Sequence, residues 1–138
     1  MAAIGPRNTK PELIVRRLLH DTGFRYRLHR KDLPGRPDLY LPKWKAVLEV
    51  QGCFWHAHDC HLFKQPHDNS EFWSAKLTSN RERDARNASA VADLGLRRLV
   101  VWQCAVTGRT RLPPDQLRRR MVDWLRGTDR DGEITGLG

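Results

Sequence analysis

Residues 38–51 read Asp38-Leu39-Tyr40-Leu41-Pro42-Lys43-Trp44-Lys45-Ala46-Val47-Leu48-Glu49-Val50-Gln51. Asp38 to Leu41 is a short strand, Pro42 to Lys45 turns the chain, and Ala46 to Val50 is the partner strand of a hairpin. The hairpin brings Asp38, at the start of one strand, and Glu49, near the end of the next, to one edge of a sheet. Gln51 follows Glu49 by two positions and so lies on the same face.

Pro37-Asp38 followed by Glu49-Val50-Gln51 is the outline of a metal-dependent nuclease centre. Phosphodiester hydrolysis needs a bound divalent cation, an activated water and charge stabilisation at phosphorus. Hard cations such as Mg²⁺ take carboxylate and carbonyl oxygens, which makes Asp38, Glu49 and the Val50 carbonyl candidate ligands. Many nucleases of the restriction type place a lysine at the position of Gln51, and glutamine is a variant of that pattern. Taken alone the outline is weak, because Glu49 also reads as a plain strand-end charge. Glu12, on the first helix, can approach the same centre; its plainer role is a first-turn acid favoured by the helix dipole.

Immediately downstream lies Gly52-Cys53-Phe54-Trp55-His56-Ala57-His58-Asp59-Cys60-His61. Thiols and imidazoles at this density point to a metal site. Cys53, His58 and Cys60, with Cys104 far downstream, make a Cys₃His set, the ligand chemistry of closed structural zinc sites. His61 or His56 competes with His58 for the imidazole position. Phe54 and Trp55, side by side in a polar loop, read as a wedge or a stacking platform.

Further out, Asn8 or Thr9 caps a first helix with Pro11 in its first turn and Leu13, Leu18 and Leu19 as its apolar stripe, stopped by Gly23. Phe24, Tyr26 and Leu28 alternate with Arg25, Arg27 and His29 as in a half-buried strand. Ser70 caps a helix carrying Phe72, Trp73 and Leu77. A second helical run spans Arg81 to Leu94, and Leu96 to Trp102 is an apolar strand interrupted by Arg97 and Arg98. Pro114 opens a last helix with Leu117, Met121, Trp124 and Leu125 on one face. The tail from Gly127 reads as loose. The order α-β-β-β-α-α-β-α predicts one α/β domain around a mixed sheet, covering residues 1–126, with a flexible tail at 127–138.

The chain has 138 residues, enough for one core, and a formal net charge of +9, which favours a polyanionic partner with nucleic acid foremost. No apolar run approaches a membrane span, and the N-terminus lacks the apolar core of an export signal. The odd count of three cysteines argues for a reducing, cytoplasmic setting rather than a disulfide framework.

Together these residues resemble the very short patch repair endonucleases, the Vsr family. Leu33-Pro34-Gly35-Arg36-Pro37-Asp38, Gly52-Cys53-Phe54-Trp55-His56 with His58 and Cys60, Glu71-Phe72-Trp73, Glu82-Arg83-Asp84 and Trp102-Gln103-Cys104-Ala105 follow the family's order and approximate spacing. The resemblance runs from Met1 to about Leu125. It implies a restriction-endonuclease-like α/β core with a structural zinc, and a Mg²⁺-dependent monomer acting on double-stranded DNA. The reaction it implies is a nick in one strand, 5′ of a T mispaired with G where a 5-methylcytosine has deaminated. Such an enzyme is nucleoid-associated, with a mismatch-repair protein as a candidate second partner.

By the same resemblance Asp38 is the catalytic metal ligand with the Val50 carbonyl beside it. His56 activates the attacking water, and Glu12 and Asp84 organise metal hydration. Cys53, His58, Cys60 and Cys104 bind zinc. Phe54, Trp55 and Trp73 wedge into the duplex beside the mismatch, and Met1 matches a methionine that also inserts. Plainer alternatives are a zinc-ligand or solvated role for His56, an exposed helix charge at Asp84 and a core position for Trp73. The chain departs from the family pattern in two places. The family commonly has an apolar residue at the position of Glu49 and a polar or histidine residue at that of Gln51; here the pair restores the standard nuclease outline, and Glu49 is expected to ligate the metal directly. The family also carries a basic segment ahead of the position of Met1, and adding such an arm is expected to tighten DNA binding and steepen its salt dependence.

Two other functions fit the sequence: a related nuclease of homing, restriction or phage-defence type, and a zinc-stabilised DNA-binding module without catalysis. Asp38, Glu49 and His56 separate them, since a pure binding module has no need of this trio.

Overall fold

The computed structural model describes residues 9–53, 58 and 68–137. Helix α1 (Lys10–Asp21) begins at Thr9, whose hydroxyl accepts the Glu12 N–H at 3.4 Å, with Pro11 in its first turn. Val15 and Leu19 face inward from it. The strand read across Phe24 to Leu28 pairs only at β1 (Arg27–Leu28), although Phe24 is buried. The hairpin forms as read. β2 (Leu39–Leu41) runs antiparallel to β3 (Ala46–Gln51), with Leu39 opposite Leu48 and Leu41 opposite Ala46. A tight 3-10 turn (Pro42–Trp44) connects them, and Lys45 closes it in the left-handed region at φ 50°.

Helix α2 (Ser70–Asp93) is continuous, where the sequence suggested two helical runs. Neither glycine nor proline occurs within it, so the shift to a charge-dense composition at Arg81 does not break the hydrogen-bond ladder. Asn69 rather than Ser70 holds its N-cap position. β4 (Arg97–Trp102) runs parallel to β3, as a strand returning over a helix must. A short helix α3 (Gln103–Val106) follows at once, and α4 (Pro114–Arg126) buries Leu117, Met121 and Leu125.

The segment read as a loose tail holds a strand. β5 (Asp131–Ile134) pairs parallel with β4 and completes a five-stranded sheet in the order β1-β2-β3-β4-β5. Ile134 is its one buried side chain and joins the main core. Arg97, which reads in sequence as an interruption of β4, secures this edge. Its guanidinium lies 4.2 Å from the Trp124 ring centroid and donates to the carbonyls of Leu125 at 2.9 Å and Asp129 at 2.8 Å. It thereby satisfies acceptors left over at the end of α4.

The main core joins Val15 and Leu19 of α1, Leu39, Leu41, Leu48, Leu99 and Val101 of the sheet, and Leu117, Met121 and Leu125 of α4. Val47 and Val100 alternate with those strand residues and are buried outside that cluster, as are Leu77 and Val91 of α2, which packs on β4. The result is a mixed sheet flanked by helices. Gly132 tests the packing of β5. A Cβ there would lie 2.5 Å from Trp124 Nε1 and 3.2 Å from Leu99 Cδ1. Gly132→Ala is expected to lower the unfolding free energy by about 1–3 kcal/mol in urea titration; an unchanged midpoint would mean that β5 does not pack on Trp124.

Candidate active site

Asp38 immediately precedes β2, and the hairpin register sets its place. Because Leu39 pairs with Leu48, Asp38 arrives level with the end of β3, and its Oδ2 accepts the Val50 N–H at 2.7 Å. On the other side, Leu28 pairs with Leu39, so His29 follows β1 beside Asp38 and donates its N–H to the Asp38 carbonyl at 3.1 Å. His29 holds φ 48°, a left-handed conformation that a side chain with a Cβ adopts at a cost. Its Nε2 lies 2.8 Å from Oε2 of Glu12, in the first turn of α1. Glu12 is only 2% exposed, and Arg16, one helical turn on, reaches it at 3.4 Å. Glu12, His29 and Asp38 thus each bring a ligand atom to one place, all within 4.8 Å of one another.

Two carboxylates crowded into a partly buried site resist ionising together. Burial pushes the Asp38 carboxyl up to about 7; the charges of Glu12 and Glu49 add to this, and the Val50 N–H opposes it. A proton relieves this strain, and so does a cation. The donor set suits a divalent ion of the hard-to-borderline kind, with Glu12 and Asp38 as oxygen ligands.

Glu49 occupies a neighbouring position and is held differently. Arg98 of β4 grips it with two donors, Nε to Oε2 at 2.9 Å and Nη2 to Oε1 at 3.2 Å, while Gln51 Nε2 donates to Oε1 at 2.8 Å. Gln51 therefore meets Glu49 on one strand face, as the spacing predicted. Asp84, half-buried on α2, acts on the same guanidinium. Burial works against the Arg98 charge, but Glu49, then Asp84 and Asp131, outweigh it and raise the group above its ordinary value. Asp84 thus connects electrostatically with Arg98, which connects with Glu49.

A second cluster sits past the end of β3. Cys53 and Cys104 are buried, and with His58 they bring two sulfurs and an imidazole nitrogen within 4.8 Å of one another. Cys104 Sγ lies 3.7 Å from His58 Nδ1, and the His58 N–H donates to the Cys53 carbonyl at 2.8 Å. The His58 ring stacks on Trp102, centroids 4.0 Å apart and 8° from parallel; the Trp102 indole donates to Glu133 of β5 at 2.9 Å. The Gly136 N–H points to Cys104 Sγ at 3.4 Å. Two thiols and an imidazole in this arrangement could hold a soft metal ion. Cys60, the fourth expected ligand, and His56, Phe54, Trp55, Met1 and His61 lie outside the described residues. Trp73 is half-buried in the first turn of α2, edge-to-face with the 61%-exposed Phe72.

His29 and Arg98 are the members of this site that sequence reasoning missed. The alternation from Phe24 to Leu28 did mark His29 as facing away from the strand's apolar side, but nothing in its spacing pointed to Glu12. The raised Asp38 pKa has a consequence for stability in the absence of divalent cations. Below the ordinary aspartate value of 3.8 the group is protonated in folded and unfolded chains alike. Between there and about 7 the unfolded chain releases the proton that the folded chain retains, so stability falls as pH rises through this window. Asp38→Asn, measured by urea unfolding in chelator, is expected to be more stable than wild type at pH 8 by about 2–4 kcal/mol, the gap closing near pH 4.

The chain is similar to known proteins along most of its length. Residues 1–62 match the family model described as DNA mismatch endonuclease Vsr, a span that contains Glu12, His29, Asp38, Cys53 and His58. The chain is 40% identical over 138 residues to the DNA mismatch endonuclease Vsr of Escherichia coli, covering 100% of this chain and 88% of that one. It is 49% identical over 107 residues to the type II nicking enzyme V.XorIIP of Xanthomonas oryzae pv. oryzae, covering 78% and 79%. It is 40% identical over 109 residues to the type II nicking enzyme V.NmeAIP of Neisseria meningitidis, covering 79% and 78%. With similarity of this extent, the chain belongs to the Vsr family of DNA mismatch endonucleases.

Proposed function

We propose that this protein is a Mg²⁺-dependent endonuclease that nicks one strand of duplex DNA on the 5′ side of a T mispaired with G, initiating very short patch repair of deaminated 5-methylcytosine. The observation that carries the reading is the convergence of Glu12, His29 and Asp38 at the end of the hairpin, close in sequence to the Cys53–His58 cluster. The Escherichia coli relative, matched along the whole of this chain, is named a mismatch endonuclease, and the others are named nicking enzymes. The net charge of +9 suits a DNA partner, and no described helix is long and apolar enough to cross a membrane. The proposed setting is a cytoplasmic monomer of restriction-endonuclease-like fold.

When bound, the divalent cation neutralises charge at the scissile phosphate and polarises the oxygen that attacks it. Asp38 and Glu12 would hold it, with the Val50 carbonyl at hand. The Val50 N–H fixes the Asp38 carboxylate so that no reorganisation is needed as charge builds. Arg16 fixes that of Glu12. His56 accepts the proton of the attacking water, a task for which imidazole basicity near neutral pH is suited. Asp84 contributes through the charged chain that runs by Arg98 to Glu49. Cys53, His58, Cys60 and Cys104 would hold zinc, whose role would be structural, joining the chain after β3 to the end of β4. Phe54, Trp55 and Trp73, with Met1, enter the base stack beside the mismatch, where opening a step costs less than in matched DNA. A mismatch-repair protein is the proposed second partner.

A nuclease of restriction, homing or phage-defence type with another target is the second reading; the relatives named type II nicking enzymes, whose names carry no mismatch, favour it. A binding module without catalysis leaves the pairing of Glu12 with Asp38 without a purpose.

End-labelled duplexes holding T:G, C:G or T:A at one position, in several sequence contexts, test the proposal. A single Mg²⁺-dependent nick 5′ of the T, confined to T:G and lost by at least about a thousandfold in Asp38→Ala, is expected. Cleavage of matched duplexes would move the assignment to the second reading, and retardation without cleavage would move it to a binding module. Glu49 has a separate test. If it contributes to holding the cation, Glu49→Ala raises the Mg²⁺ concentration needed for half-maximal nicking by about tenfold. Equal nicking at limiting Mg²⁺ would remove Glu49 from the cation site.

A further inference from the structure

We propose that His29 is a third protein ligand of the divalent cation, completing a Glu12–His29–Asp38 set whose nitrogen donor tilts the centre from Mg²⁺ toward Mn²⁺. The inference deepens the proposed function and rests on its cation-dependent reading.

The geometry supports it at three points. First, the set is compact. Bonds of about 2.1 Å in octahedral geometry place adjacent ligand atoms about 3 Å apart and opposite ones about 4.2 Å apart. His29 Nε2 and Glu12 Oε2 are 2.8 Å apart, the spacing of adjacent ligands, and no separation in the set exceeds 4.8 Å. Second, His29 is anchored through its main chain to the residue it would share the cation with. Its N–H donates to the Asp38 carbonyl at 3.1 Å, in register with the β1–β2 pairing. Third, the backbone there is left-handed at φ 48°. Such positions in residues other than glycine persist only where surrounding contacts hold them, and they gather at functional sites.

The donor set carries the chemical consequence. An all-oxygen site matches Mg²⁺, whereas an imidazole beside two carboxylates suits first-row ions from Mn²⁺ onward. Glu49 then remains in its Arg98 fork and acts on the centre through its charge alone.

Zinc-loaded protein titrated with Mn²⁺ in the absence of DNA provides the test, followed by electron paramagnetic resonance and electron spin-echo modulation. Protein with ¹⁵N-labelled histidine is compared with unlabelled protein. The expected result is one directly coordinated imidazole, its nitrogen coupling absent in His29→Gln, and loss of Mn²⁺ binding in Asp38→Asn. His29→Gln is further expected to weaken Mn²⁺ binding about tenfold or more and to change Mg²⁺ binding by no more than about twofold. Three results overturn the inference: Mn²⁺ bound through Asp38 without nitrogen coupling, coupling that survives in His29→Gln, or no Mn²⁺ binding. The wild-type coupling stands even if the variant misfolds, which circular dichroism would reveal. Protein that binds Mn²⁺ through His29 yet fails to nick T:G duplexes overturns the proposed function alone, and a T:G-specific nickase without coupling overturns this inference alone.

Discussion

The hydrogen bond from the Val50 N–H to Asp38 Oδ2 is the constraint around which the site is organised. A carboxylate just ahead of an edge-side strand would ordinarily swing into water. Here it receives a donor from the neighbouring strand, and that donor exists only in the hairpin register that pairs Leu39 with Leu48. A slip by one residue would turn every side chain of β3 to the opposite face, sending Leu48 out of the core and Glu49 into it. The packing that buries Leu39, Leu41 and Leu48 therefore also sets the position of Asp38, and the same strand pairing extends through β1 to His29.

The charges around this point form two separate groups. Glu12, His29 and Asp38 converge at the mouth of the hairpin, while Glu49 turns to Arg98 and Gln51. A half-buried carboxylate without a partner is costly, and the Arg98 fork offsets that cost for Glu49. A glutamate at a half-buried strand position needs a partner nearby, and Arg98, in the next strand, supplies it. β3 pairs Glu49 with Val100, and Arg98 lies two residues earlier on the same face of β4, within diagonal reach.

Much of this was legible in the sequence because it rests on local rules. The Pro42–Lys45 turn between two apolar runs defined the hairpin, Thr9 and Pro11 defined the start of α1, and the crowding of cysteine and histidine after Gly52 drew attention to Cys53 and His58, which with Cys104 form a group that could hold a metal ion. Cys104 could be added because it was the one cysteine left over. What sequence reading missed depends on neighbours far away in the chain. His29 and Glu12 stand 17 positions apart on different elements, and no period connects them. Arg98 and Glu49 are separated by 49 positions. β5 offers a single buried side chain, Ile134, in a run of glycine and acidic residues, and its strand character comes from the edge of β4 rather than from its own composition. The break assumed in α2 rested on a change in polarity, which a helix tolerates when no glycine or proline interrupts it.

The parallel pairing of β4 with both β3 and β5 has a consequence for how the chain reaches this form. Glu12, His29 and Asp38 belong to a run closed by an antiparallel hairpin, contacts that form early because their loops are short. Cys53 meets Cys104 only after the long α2 crossover has returned the chain to β3, and the Gly136 N–H reaches Cys104 only when β5 has docked in turn. The two clusters thus differ in contact order: the carboxylate cluster is local, while the thiol cluster waits on non-local sheet growth, the slower class of folding event. The burial of Cys53 against Cys104 thus depends on the whole sheet, whereas the meeting of Asp38 with Val50 depends on the hairpin alone.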